Sequence, residues 1–339
     1  MIARRQGFDK EIVALPMTAG VECWNTHFAT HTWRARANLM MRSLTLLFAM
    51  LALSAARASA ELILSVSTRT GNPDIFLVDP VSGDALNLTR HQAQDVSPAL
   101  SADGRRIAFS SDRDSNEDKK VFDIFVMDED GGNLRQLTKD TGVNSTPCWS
   151  PDGKKIAFVR YLADGGPQVF VMNSDGSEQV SVTPGRSGYD PAWSPDGKKI
   201  AHTSFVNGHG FHLWIMDADG KNARQLSAND NSFGYVYPAW SPDGKKIAYA
   251  DFIDQHLEIF TCDADGANPI QVTRLGKTST FPAWSPDGKA ILFQHATNAN
   301  MGPVCVLDLT DTTGNNVKAL EVLRDEGFVN GGRHVWKAK

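Results

Sequence analysis

Pro238-Ala239-Trp240-Ser241-Pro242-Asp243-Gly244-Lys245-Lys246-Ile247-Ala248-Tyr249 is the stretch that decides the fold. It recurs almost unchanged from Pro191 to Ala201 and from Pro282 to Gly288. Pro147 to Gly153 is a fourth copy, and Pro98 to Gly104 a worn fifth in which Leu100 replaces the tryptophan and Ala102 the second proline. The steps between Leu100, Trp149, Trp193, Trp240 and Trp284 are 49, 44, 47 and 44 residues. Self-similarity at such a period is the mark of a repeat architecture.

Each copy reads as a tight β-hairpin. In Ser-Pro-Asp-Gly the proline presets φ at the first corner, aspartate suits the second, and glycine takes a left-handed conformation. A short strand carrying the tryptophan precedes the turn, and Lys-Lys-Ile-Ala-aromatic follows as a second strand. A third strand comes later, as in Ile124-Phe125-Val126-Met127 and Leu213-Trp214-Ile215-Met216, and ends in an acidic turn such as Asp217-Ala218-Asp219-Gly220. A fourth follows, as in Arg135-Gln136-Leu137-Thr138. Four short strands in ~40–45 residues predict a propeller blade. The third strand is apolar at consecutive positions, which fits a sheet covered on both faces. No 3.6-residue period runs inside the repeat, which excludes a solenoid of helix pairs.

The first unit lacks an innermost strand. Leu62 to Val66 reads as a second strand, Asp74 to Asp79 as a third and Leu86 to Thr89 as a fourth. At the other end, Gly331-Gly332-Arg333-His334-Val335-Trp336 is left over after the last repeat, and Trp336 aligns with the repeated tryptophan. The expectation is an all-β, six-bladed β-propeller of four-stranded antiparallel blades over residues 61–339. Its ring is closed by a C-terminal strand that joins the N-terminal blade, leaving no free edge.

Ahead of the blades, residues 1–40 show no strand rhythm. Met41-Arg42, an apolar run from Leu44 to Ala56 and Ala58-Ser59-Ala60 before Glu61 have the layout of a secretory signal peptide. The run falls short of the ~20 residues that a spanning helix needs. Residues 41–60 are therefore expected to be cleaved after Ala60, placing the chain in the periplasm or outside the cell. Translation starting at Met40 or Met41 would leave residues 1–40 out of the product. The formal net charge is −5, and −9 once residues 1–60 are set aside. That balance, with no basic stripe, argues against nucleic acid. Cys148, Cys262 and Cys305 occupy apolar strand positions on different blades, so they read as packing residues.

The Trp-Ser-Pro-Asp-Gly-Lys-Lys-Ile-Ala phrase, the Gly71-Asn72-Pro73-Asp74-Ile75-Phe76 lead-in and the Asp-x-Asp-Gly turns resemble the six-bladed propeller of the TolB family. That family carries an α/β domain ahead of its propeller, for which this sequence leaves no room after Glu61. The resemblance implies a non-catalytic scaffold of the kind used in the Tol-Pal cell-envelope system. It would be a monomer without a cofactor, binding a protein or peptide partner such as an envelope lipoprotein.

In such a blade the Ser-Pro-Asp-Gly and Asp-x-Asp-Gly hairpins share one face of the ring. The second-to-third loops and the blade connections share the other, and their variable length and chemistry suit specific binding. On that face, the residues just before the innermost-strand prolines are Ser97, Thr146, Asp190, Tyr237 and Phe281, with Arg333 in the closing strand. They are expected to point toward the channel mouth as a mixed ring suited to a peptide. An alternative is a metal-dependent carbohydrate-active enzyme, similar to the oligogalacturonide lyases, acting through His202, His209, His212 or His295. His202, however, stands where other copies have Phe109, Phe158, Tyr249 and Phe293, as a strand residue would. The sequence holds no G-x-S-x-G nucleophile elbow for serine hydrolysis.

Overall fold

The computed structural model describes residues 61–115, 121–139, 141–227, 236–296, 304–308, 317–319 and 335–337. Expectations for residues 1–60 and for Arg333 lie outside the described residues. The chain is an all-β propeller of four-stranded antiparallel blades. Strands β1 (Leu62–Ser67), β2 (Asp74–Val78) and β3 (Ala85–Asn87) come first, without an inner partner of their own. The next blade is β4 (Asp95–Leu100), β5 (Arg106–Ser111), β6 (Asp123–Asp128) and β7 (Arg135–Gln136). It is followed by β8 (Val143–Trp149), β9 (Lys155–Leu162), β10 (Gly166–Asn173) and β11 (Val180–Ser181). Then come β12 (Tyr189–Trp193), β13 (Lys199–Val206), β14 (Gly210–Asp217) and β15 (Arg224–Gln225). The fifth set is β16 (Ala239–Trp240), β17 (Lys246–Ile253), β18 (His256–Asp263) and β19 (Ile270–Gln271). The last are β20 (Ser279–Trp284), β21 (Ala290–His295), β22 (Val304–Asp308), β23 (Val317–Ala319) and β24 (Val335–Lys337).

Five of the sheets use consecutive strands, and a sixth is composite, in the order β24-β1-β2-β3. Innermost strands of successive sheets pack on one another, β4 on β8, β8 on β12, β12 on β16 and β16 on β20. The fourth strands are only two or three residues long, which blunts the outer edges against pairing with other chains.

The hairpin phrase holds its shape with its own side chains. Ser241 Oγ donates to Asp243 Oδ1 at 2.7 Å and accepts the Lys246 N–H at 2.9 Å, while the Lys245 N–H reaches Asp243 at 3.1 Å. Gly244 adopts φ 69° to close the turn. The same bonds recur at Ser150, Ser194 and Ser285. The hydroxyl and the N–H together hold the Asp243 carboxyl below its ordinary range.

The core lies between sheets. Odd and even positions of a strand face opposite neighbours, so Ala108, Ile124 and Val126 of one blade meet Ile156 and Phe158 of the next. Ala157, Val169 and Val171 meet Trp193 and Ile200 in turn. Two of the repeated tryptophans tie successive blades together from the inside. Trp240 Nε1 donates to the Ala192 carbonyl at 3.1 Å and Trp284 Nε1 to the Ala239 carbonyl at 3.2 Å, each reaching the preceding blade. Among the described residues no helix is long and apolar enough to cross a membrane, which says nothing of a β-barrel.

Candidate functional site

Four innermost strands carry a proline within them, Pro98, Pro147, Pro191 and Pro282, and Pro238 stands just before β16; a proline has no N–H for the ladder. The strands answer with a β-bulge. Pairing of β4 with β5 slips between Val96 and Ala99, of β8 with β9 between Ser145 and Cys148, and of β12 with β13 between Tyr189 and Ala192. Between β20 and β21 it slips between Thr280 and Ala283. The residue before each proline is therefore swung into the left-handed region. Ser97, Thr146, Asp190, Tyr237 and Phe281 have φ of 53°, 47°, 49°, 47° and 54°. None is glycine, and the conformation costs roughly 1–2 kcal/mol per residue. A bulge of this kind re-aims side chains, and it is repeated around the channel.

The structure brings Tyr237 and Phe281 together. Their ring centres lie 4.2 Å apart, and both line an axial cavity of about 240 Å³. Cys148, Ala192, Pro238, Pro282 and Val335 complete most of its wall, drawn from five innermost strands. The lining is apolar, and the volume lies below the ~300 Å³ at which drug-sized ligand pockets begin. It suits a side chain or two, not a cofactor. Ser97 and Asp190 are buried and Thr146 is half-buried, and these three stand apart from the cavity wall although they share its backbone conformation. The Thr146 hydroxyl is buried without a hydrogen-bond partner.

A second aromatic feature on the same face escaped the reading of the sequence. Tyr161 is the penultimate residue of β9, Tyr189 begins β12, and Phe205 and Phe211 flank the β13–β14 turn. Their rings run in series, Tyr161 to Tyr189 at 6.4 Å, Tyr189 to Phe211 at 5.6 Å and Phe211 to Phe205 at 5.1 Å. Tyr161 is 41% and Phe205 44% exposed. Phe252 holds the matching place on the next blade, whereas Asp112 and Ala296 hold it on two others. The face is thus aromatic on one side only. Strand alignment carries the signal: Tyr161, Phe205 and Phe252 each stand six residues after the first strand residue of Lys155, Lys199 and Lys246.

A model of the TolB beta propeller domain matches residues 115–232 and 207–321, more than half of the sequence. The chain belongs to that family. Among solved structures, a candidate TolB from Agrobacterium tumefaciens superposes with a TM-score of 0.61 at 18% identity, over 82% of this chain and 98% of that one. TolB from Acinetobacter baumannii gives 0.64 at 21%, over 82% of this chain and 67% of that one. An oligogalacturonate lyase in complex with manganese gives 0.51 at 15%, over 67% and 69%. At these identities the structural matches speak for the fold alone. No curated protein matches the sequence.

On this TolB-type propeller the histidines are dispersed. His202 is buried in β13 opposite Trp214, and burial followed by the nearby Arg186 charge pulls its pKa down to about 3. His212 is buried in β14, its Nδ1 3.1 Å from Gln225 Nε2. His295 is half-buried at the end of β21 with Nδ1 3.2 Å from Ser279 Oγ, and His209 is exposed in a turn. Among the described residues no three His, Cys, Asp or Glu side chains converge as a metal would require. Cys262 is buried, and burial pushes its thiol up to about 12.

Four buried acids, Asp74, Asp95, Asp123 and Glu258, are engaged by structural partners. Asp74 accepts from Asn87 at 2.8 Å and from Thr89 Oγ at 3.0 Å, and Asp123 from Thr138 at 2.7 Å and Asn144 at 3.0 Å. Glu258 accepts the Leu275 and Gly276 N–H groups at 2.8 and 2.9 Å, tying down the connection to β20. Asp95 is fully buried and takes Arg113 Nη2 at 2.8 Å, with the guanidinium 5.2 Å from the centre of the Phe109 ring. Arg113→Ala strands that carboxylate, so urea unfolding should show a loss of about 3–5 kcal/mol. Pairing it with Asp95→Asn should recover part of the loss. A double variant no more stable than the single would mean the charge pair is not what holds this corner.

Proposed function

We propose that the chain is a non-catalytic propeller scaffold of the periplasm or cell exterior that binds a protein partner at its channel mouth. The observation that carries this reading is the Tyr237–Phe281 pair over the apolar axial cavity, on the face where Tyr161 and Phe205 stand exposed. Aromatic anchors in well-packed recesses commonly dominate protein interfaces. The reading takes the partner as an extended segment, with an apolar side chain entering the cavity and the flanking backbone crossing the aromatic side of the rim. Asp190 and Arg333 are the charged members of the ring set out from the sequence and would orient it.

The reading includes a ring of six blades in which β24 is the closing strand. It is supported by the pairing of Ile63 with Trp336 and by Trp336 Nε1 donating to the Ala283 carbonyl at 3.3 Å. Leu292 also packs with Ile63 and Phe76, and Lys337 bonds Glu129 of the following blade. Export through the segment 41–60 belongs to the same proposal, and membership of the TolB propeller family favours it.

Capture from envelope extract on the immobilised chain tests the function. A protein retained by the wild-type chain and lost from a Tyr237→Ala, Phe281→Ala column supports the reading. Equal retention on both columns would contradict it.

A further inference from the structure

The clefts between blades on the hairpin-turn side, opposite the channel mouth, differ in what fills them. Between the second and third blades, Arg106 reaches across. Its guanidinium carbon lies 4.3 Å from the centre of the Trp149 ring, and its Nη2 donates to the Gly153 carbonyl at 2.9 Å. Space for it exists because the second blade's turn is Ser101-Ala102-Asp103-Gly104, without the proline. A Cβ placed on Gly153 would meet Arg106 Nη2 at 3.0 Å, whereas on Gly197 and Gly244 its nearest neighbours are Pro151 at 3.8 Å and Pro195 at 3.6 Å.

At the place of Arg106 the next two blades carry Lys155 and Lys199, and Lys199 turns back to Asp217 of its own blade at 3.0 Å. An ammonium is a point charge without the planar fork that lets a guanidinium stack and donate together. Two open clefts result, about 490 Å³ beside Trp193 and about 560 Å³ beside Trp240. Carboxylates rim both, with exposed Lys198 and Lys245 3.9 Å from Asp196 and Asp243, and Arg224 donating to the Asp265 carbonyl at 3.1 Å at the edge of the second. Asp152 and Asp196 face Lys155 in the first, and Asp196, Asp243 and Asp265 face Lys199 and Arg224 in the second.

We propose that these two clefts receive arginine side chains of a protein partner, each guanidinium stacking on Trp193 or Trp240 as Arg106 stacks on Trp149. The chain thus supplies the template for its own ligand. A planar cation over an indole, close to carboxylates, is the arrangement that favours arginine over lysine. The proposal concerns the hairpin-turn side of Trp193 and Trp240, whose other edges line the axial cavity.

The test is titration of the folded full chain with acetyl-arginine amide, followed by the assigned indole N–H resonances. Trp193 and Trp240 should shift saturably, at least about five-fold more tightly than with acetyl-lysine amide. Trp149 should stay silent in the wild-type chain and respond in Arg106→Ala. Silence of Trp193 and Trp240, equal response to the lysine compound, or a Trp149 that moves in the wild type would each overturn the proposal. So would a Trp149 that stays silent in Arg106→Ala, or tighter binding of free arginine, which would mark a small-molecule site. Because Trp193 and Trp240 also line the axial cavity, the titration is repeated on Asp152→Asn and Asp243→Asn, which belong to the clefts alone. Weaker binding at the neighbouring tryptophan supports the proposal, and unchanged binding in both overturns it.

Discussion

Lowering the pH from 7 to 4 should cost the native chain stability that a His202→Phe variant keeps. His202 lies buried between blades with its Nδ1 unpartnered, and its pKa is lowered from 6.5 to about 3. Below pH 6.5 the unfolded chain binds a proton at this imidazole that the native chain does not. Stability is then lost at about 1.4 kcal/mol per pH unit until the native pKa is reached. Between pH 6.5 and pH 4 that amounts to about 3 kcal/mol, a large share of a typical 5–15 kcal/mol. Phenylalanine is the natural replacement, because Phe109, Phe158 and Phe293 occupy the same place in other blades and are fully buried there. The turn carboxylates, held low by Ser194 and its counterparts, add acid sensitivity only below the ordinary carboxylate range, and in both proteins alike. The difference between the two curves therefore isolates the histidine. Urea unfolding at half-unit pH steps checks it, and parallel curves for the two proteins would show that His202 takes up its proton without cost.

Deleting residues 331–339 should have an effect of similar size. The deletion removes β24, and with it the Val335 and Trp336 packing, the pairing with β1 and the Lys337–Glu129 contact. Burial of two such side chains is worth about 1.5–3 kcal/mol each and the lost strand hydrogen bonds about 1 kcal/mol each. The loss is thus about 5 kcal/mol or more, and β1 is left with a bare edge. The truncated chain should melt far lower or associate through that edge, as sedimentation and thermal scans would show. A monomer with an unchanged melting temperature would mean that β1 finds another partner and the proposed closure is wrong.

The hairpins were legible because turn chemistry is local. Ser241, Asp243 and Gly244 bond within five residues of one another, so nothing distant can override them. The bulges were half legible. Pro238 and Pro282 announce a missing N–H, but the left-handed φ of Tyr237 and Phe281 depends on how the second strand realigns past the gap. The pairing of those two rings, contributed by different blades, follows from the spacing of the blades around the axis, which no single repeat encodes. The Arg106–Trp149 contact was hidden for the same reason, and because its cause is an alanine where other turns have proline. The histidine in β13 was legible by alignment alone, since the repeat puts aromatic rings at its position. Tyr161 and Phe205 share an aligned position as well, but Asp112 and Ala296 hold it in other blades, so the alignment alone does not show that their rings meet Tyr189 and Phe211.

The most direct test of the account is a calorimetric titration of the captured partner against four single-site variants. Tyr237→Ala and Arg333→Ala should each weaken binding about 30-fold, the equivalent of about 2 kcal/mol, measured at a temperature where both variants are folded, since Tyr237 also packs on the core beside Phe281. Lys198→Ala and Lys245→Ala, in the exposed turns of the opposite face, should bind as the wild type does. Loss of affinity confined to the two lysine variants would contradict the account and place the partner on the other side of the propeller.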